Sequence, residues 1–191
     1  MTKSQGDVVR AALELLDEQG APAVSMRAVA ERLGVRMNTV LWHVKSRARL
    51  GELLADAIVA GVPLDDLPAD WRARAAEITR RYRRALLAHR DGAAVVVGTY
   101  AAEPATLDIA EALVGALLDG GLAEREAAWT CWSLLYFTLG LTQEEQAAPT
   151  SFGGELEVGD RPALRRILPH LTTESFDDRF EHGLAQLLRG R

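Results

Sequence analysis

Cysteine is almost absent: Cys131 is the one thiol in 191 residues, so no intrachain disulfide and no four-cysteine zinc site can form, and a reducing, cytoplasmic setting is expected. Long apolar runs are missing too. The most apolar stretch, Trp129 to Leu141, is 13 residues, too short to cross a bilayer, and reads as a buried helix, so no membrane partner is expected. Behind Lys3 no apolar segment follows, because Asp7 and Arg10 interrupt at once, and no secretory signal is expected. There is no G-x-S-x-G, no G-x-G-x-x-G, no P-loop and no H-E-x-x-H, and His43, His89, His170 and His182 lack metal-ligand spacing. The acid pairs Asp65/Asp66, Glu144/Glu145 and Asp177/Asp178 read as caps or solvated faces, since neighbours on a helix diverge. Neither an enzyme nor a metal nor a cofactor is therefore expected.

What is abundant is helix former: 31 Ala and 28 Leu, with no extended alternation of apolar and polar residues, predict an all-α fold. Hydrophobic residues make up 48% and mean hydropathy is -0.03, enough for a folded core. Gly, Pro and short polar side chains punctuate the helices. The first runs from about Ser4 to Gln19 and stops at Gly20. Ser25 caps a second that ends at Leu33 and Gly34, a third covers about Arg36 to Val44, and Ser46 caps a fourth carrying Leu50, Leu53, Leu54, Ala57 and Ile58. Gly61 to Pro68 reads as a linker between domains. Asp70 then caps a long helix, Gly92 to Thr99 is short, Pro104 opens a helix ending at Gly120, and Ala123 to Glu145 is the most hydrophobic. Gln146 to Asp160 is expected to be a loop, and Thr173 to cap a last helix with Phe176, Phe180, Leu184, Leu187 and Leu188.

Residues 25–44, SMRAVAERLGVRMNTVLWHV, form two short helices joined by a Gly-containing turn, the helix-turn-helix pattern. Met26, Val29, Ala30 and Leu33 make the inner stripe of the first helix, and Val35, Val40 and Val44 lie beneath the second. The outer face of the second is left with Arg36, Met37, Asn38, Thr39, Leu41, Trp42 and His43, which suits a DNA major groove. Arg27, Lys45, Arg47 and Arg49 flank it. Net charge is -5, which argues against nucleic acid until it is divided: residues 1–50 hold 8 Lys and Arg against 5 Asp and Glu, a net of +3 that leaves -8 on residues 51–191.

With these residues the chain resembles the TetR family of one-component bacterial repressors, tetracycline-repressor subgroup. The likeness lies in ALELLDEQG, MRAVAERLGV and LWHVKSRARL near the N-terminus, then in RRALLAHRDGA (83–93), Gly98-Thr99, YFTLG (136–140) and FDDRFEHGLAQLLRG (176–190). The resemblance implies a helix-turn-helix DNA-binding domain at 1–46 and an effector-binding and dimerisation domain at 47–191, with a linker helix at 47–61 and a loop at 61–69. It implies a homodimer on a palindromic operator, joined through the Ala123–Glu145 and C-terminal helices, and DNA contacts from Arg27, Arg36, Met37, Asn38, Thr39, Leu41, Trp42, His43, Lys45 and Arg47. Met37, Asn38 and Leu41 depart from the family pattern, so the base sequence read is expected to differ.

The resemblance also implies a small-molecule effector. Tetracycline would arrive with a metal, but Val96 stands at the position of the metal-binding histidine, with Pro63, Ile78 and Tyr100 at other drug-contacting positions. An apolar or aromatic effector other than tetracycline is expected instead, lined by Ile78, Tyr82, Val96, Thr99, Tyr100, Leu113, Cys131, Trp132, Leu135 and Glu144. Two other readings remain open: a helical ligand-binding or interaction module without DNA binding, and an activator rather than a repressor.

Overall fold

The computed structural model describes residues 3–99, 102–148, 157–172 and 175–189. Helix α1 (Gln5–Gln19) starts from a capping box, in which Ser4 accepts from the Asp7 N–H and Asp7 bonds back to Ser4, and buries Val8, Ala11, Ala12, Leu15 and Leu16. A 3₁₀ turn (Ala21–Ala23) leads to α2 (Met26–Arg32), α3 (Met37–Val44) and α4 (Arg47–Val59). The remaining helices are α5 (Trp71–Leu87), α6 (Gly92–Val96), α7 (Pro104–Asp119), α8 (Glu124–Ala147), α9 (Pro162–Thr172) and α10 (Phe176–Leu187). No strand occurs among the described residues.

The first three helices pack into a small head whose core continues without a break into the rest of the chain. Helix α4 touches α1 and α3 on one side and α5, α6 and α7 on the other, so Leu50, Leu54 and Ile58 are buried from both directions. Behind it, α5, α7 and α8 pack against one another and α10 closes over α8, where the Phe137 and Phe180 rings stack at 5.9 Å.

Four readings of the sequence need correction. The segment 61–69 is no free linker: Val62 is buried, Leu64 and Leu67 pack on the core, and the Arg81 guanidinium donates to the carbonyls of Pro63 (2.9 Å) and Asp65 (2.7 Å). A helix forms at Pro162–Thr172 where none was expected; Leu164, Ile167, Leu168 and Leu171 have helical spacing, and the internal Pro169 reads as a breaker. The final helix is capped by Ser175, in a second capping box with Asp178, whereas Thr173 lies outside the described residues. Helix α6 ends at Val96 instead of Thr99, and α8 continues two residues past Glu145, so the expected 146–160 loop starts later; its residues 149–156 are outside the described set.

The strap across 61–69 has a measurable weight. Arg81→Ala leaves two carbonyls without their charged donor and is expected to lower unfolding free energy by about 2 kcal/mol in urea titration. An unchanged midpoint would show that the segment needs no anchor.

Candidate functional site

The corner formed by α2, α3 and α4 is built by local rules. Ser25 Oγ accepts from the Ala28 N–H at 3.1 Å and starts α2. After Arg32 the chain turns through Gly34 at φ +65°, a left-handed conformation that a β-carbon penalises, and the Val35 N–H closes onto the Ala30 carbonyl at 3.0 Å. Arg36, in extended backbone, opens α3 without a side-chain cap, so the first N–H groups of the helix stay available to an acceptor from outside. Val40 and Val44 are fully buried and fix the rotation of α3, which turns Asn38 and Trp42 outward; Trp42 is 69% exposed and Met37 47%. Thr39, Leu41 and His43 are half-buried on the flanks. At the far end the Gln5 amide donates to the His43 carbonyl at 3.2 Å, and the Lys45 ammonium lies 5.2 Å from the Trp42 ring centre.

Arg27, Arg36, Lys45 and Arg47 are exposed, and among the described residues none of them is in an ion pair. Two other arginines near the corner are engaged. Arg32 is held by Glu14 and Glu18, and Arg49 by Glu52 and Glu103. Arg49 therefore leaves the set of flanking donors: it points back along α4 and ties the first turn of that helix to the residue that opens α7. Its guanidinium holds the Glu103 carboxyl below the usual range.

Residues of the expected effector site are split. Ile78 and Tyr82 from α5, Leu113 from α7 and Cys131 from α8 are all buried, with Val96 and Leu135 half-buried beside them in the same core. The Tyr82 side chain is buried, its hydroxyl makes no hydrogen bond among the described residues, and burial raises its pKa. Burial also pushes the Cys131 thiol up to about 11, which keeps it protonated and unreactive. The Thr99 hydroxyl donates to the Val96 carbonyl at 2.6 Å. Trp132 and Glu144 do not join them: Trp132 stands one residue past Cys131 on α8, about 100° round the helix, and is 47% exposed, stacked on Tyr136 at 5.3 Å. Glu144 is exposed as well. Tyr100 lies outside the described residues. Val96 has no lone pair for a metal, and among the described residues no three His, Cys, Asp or Glu gather to hold one.

Sequence reasoning missed the ties between head and body, because they join residues far apart in the chain. The Asp91 carboxylate accepts from the Ala21 N–H at 2.8 Å, His89 Nδ1 lies 3.0 Å from Asp17, and Arg90 donates to the Glu18 carbonyl at 3.2 Å. On the other side of α4, Asp56 accepts from the backbone N–H and the hydroxyl of Thr106 at 2.8 and 2.9 Å. Their trace in the sequence is that His89, Arg90 and Asp91 fall in the RRALLAHRDGA stretch, and Asp17 and Glu18 in ALELLDEQG.

Residues 8–52 match the model of bacterial regulatory proteins of the tetR family, and residues 63–190 that of the tetracyclin repressor-like C-terminal domain. Over 198 aligned residues the chain is 35% identical to the class A tetracycline repressor protein from transposon 1721 of Escherichia coli, covering all of this chain and 91% of that one. Among solved structures, a possible TetR family transcriptional regulator from Streptomyces coelicolor A3(2) superposes with a TM-score of 0.83 at 37% identity, covering 97% of each chain. ActR of Streptomyces coelicolor in complex with actinorhodin superposes with a TM-score of 0.85 at 27% identity, over 97% of this chain and 93% of that one.

The Arg49–Glu103 pair supplies a pH test. Glu103 has a lowered pKa in the folded state, so its contribution is fully present above about pH 4.5, its ordinary value, and is lost as pH falls through the lowered value. Glu103→Gln is expected to flatten the acid limb of stability followed by circular dichroism; an acid limb identical to that of the parent would count against the tie.

Proposed function

The chain belongs to the TetR family of bacterial regulatory proteins, in its tetracycline-repressor-like branch, and from that premise we propose that it is a repressor which grips a palindromic operator as a homodimer and lets go when an apolar or aromatic small molecule enters the body. The observation that carries the DNA arm is the set of four exposed cations, in no ion pair among the described residues, around a helix whose outward row is Asn38 and Trp42. Arg27, Lys45 and Arg47 take phosphates; Arg36, Met37, Asn38, Thr39, Leu41, Trp42 and His43 meet the groove. No helix of the described residues is long and apolar enough to cross a membrane, and the protein acts in the cytoplasm beside its DNA.

A twofold operator calls for a twofold protein. The surface best suited to a second copy is the outer stripe of α8, where Trp129, Trp132 and Tyr136 are each about half exposed, continued by the free side of α10. Trp132→Glu is expected to shift the chain to monomer in sedimentation velocity; a dimer of unchanged strength would move the interface elsewhere.

For the effector, the supporting feature is the apolar core set Ile78, Leu113, Cys131, Val96 and Leu135, in which the Tyr82 hydroxyl is a polar group that makes no hydrogen bond among the described residues. ActR, whose solved structure is a complex with actinorhodin, shares the fold. Tetracycline with its metal finds no histidine at Val96. A ligand there favours the DNA-free arrangement only if it binds that arrangement better. The route to the head is short: α6 and α7 both touch α4, and Arg49–Glu103 and Asp56–Thr106 couple the opening of α7 to α4.

Arg36→Ala or Asn38→Ala is expected to weaken specific DNA binding by roughly 1 to 3 kcal/mol with the melting temperature unchanged, measured by mobility-shift titration on the intergenic DNA beside the gene. Unaltered affinity for both variants would sink the proposal.

A further inference from the structure

We infer that Met37 selects thymine, by laying its thioether side chain against the 5-methyl group in the major groove; this rests on the DNA-binding reading above and names the base that one flank of α3 recognises. The helix carries three rows at i, i+4 spacing: Met37 with Leu41, Asn38 with Trp42, and Thr39 with His43. Because Val40 and Val44 face the core, the Asn38–Trp42 row points straight out and the other two flank it. The flanks differ in chemistry. Thr39 and His43 offer a hydroxyl and an imidazole, which exchange hydrogen bonds with base edges. Met37 and Leu41 offer neither a strong donor nor a strong acceptor, so an edge of guanine, cytosine or adenine pressed against them would lose its water without replacement.

Thymine is the one base that places an apolar group on the major-groove edge. Met37 sits in the first turn of α3, the part of a reading helix that reaches base edges, and is nearly half exposed there, while Leu41 is half-buried behind it. An unbranched, adaptable side chain at that point fits a methyl group without demanding one rigid geometry. The occupant of this apolar flank is defined by its surroundings: Arg27, Arg36, Lys45 and Arg47 supply the positive rim that a polyanion requires.

Duplexes selected by the purified full-length protein from a random-sequence pool would be resynthesised with deoxyuridine in place of thymidine, one position at a time, which removes the methyl group and nothing else. We expect one thymine in each half-site whose replacement costs about fourfold in affinity, the effect of returning one methyl group to water. Met37→Ala and Met37→Gln should bind the thymine and uracil forms of that site equally, with unchanged melting temperature. Equal binding of both forms by the parent protein overturns the inference alone, as does a uracil penalty that persists undiminished in both variants. Failure to select any sequence overturns the DNA-binding reading and this inference with it.

Discussion

Leu50, Leu54 and Ile58 lose nearly all contact with water because α4 is packed from two directions, by α1 and α3 on one side and by α5, α6 and α7 on the other. Burying each such side chain is worth roughly 1.5 to 3 kcal/mol, more than the 0 to 1 kcal/mol typical of an exposed ion pair. The apolar contacts therefore decide that head and body stay together, and the polar ties decide how they sit. Asp91 on the Ala21 N–H ties the start of α6 to the turn after α1, and Asp56 on Thr106 ties α4 to the first turn of α7, and both bonds are directional.

The two halves of the site differ in how they are held. The reading corner is made of residues close in sequence, with Ser25, Gly34 and Ser46 punctuating it, and its outward face is the remainder after Val40 and Val44 are buried. The buried set with Tyr82 draws on four helices spread from Ile78 to Leu135, and its packing follows from how α5, α7 and α8 cross. Arg83 belongs to this frame: buried on α5, it meets Glu145 of α8 at 2.7 Å and Asp177 of α10 at 2.6 Å, joining α5 to α8 and α10.

That difference explains what could be read from the sequence. Helix caps, the Gly34 turn and the inner stripes are local and periodic, so the all-α fold and the reading corner were legible down to Ser25, Ser46 and Asp70 as caps. Long-range polar pairing was not: nothing in the spacing of Arg49 tells that Glu103 will take it from the DNA-facing set, or that Arg81 will strap down the Pro-containing stretch that looks like a hinge. Helix α9 was hidden by Pro169, whose effect as a breaker is outweighed by the apolar repeat around it. That Trp132 stands outward was not legible, because an apolar run conceals which of its members turn outward once the helix packs on one side only.

The division of charge carries a consequence for rates. At physiological ionic strength a charge is felt over about 8 Å, whereas α5 alone, 17 residues long, extends about 25 Å away from the head-side turn at His89. An approaching duplex is therefore drawn first by the cations of the corner, while charge at the far end of α5 is screened from it. Diluting the salt lengthens that range until the body is felt as well and the pull becomes a torque, turning the molecule head-first before contact.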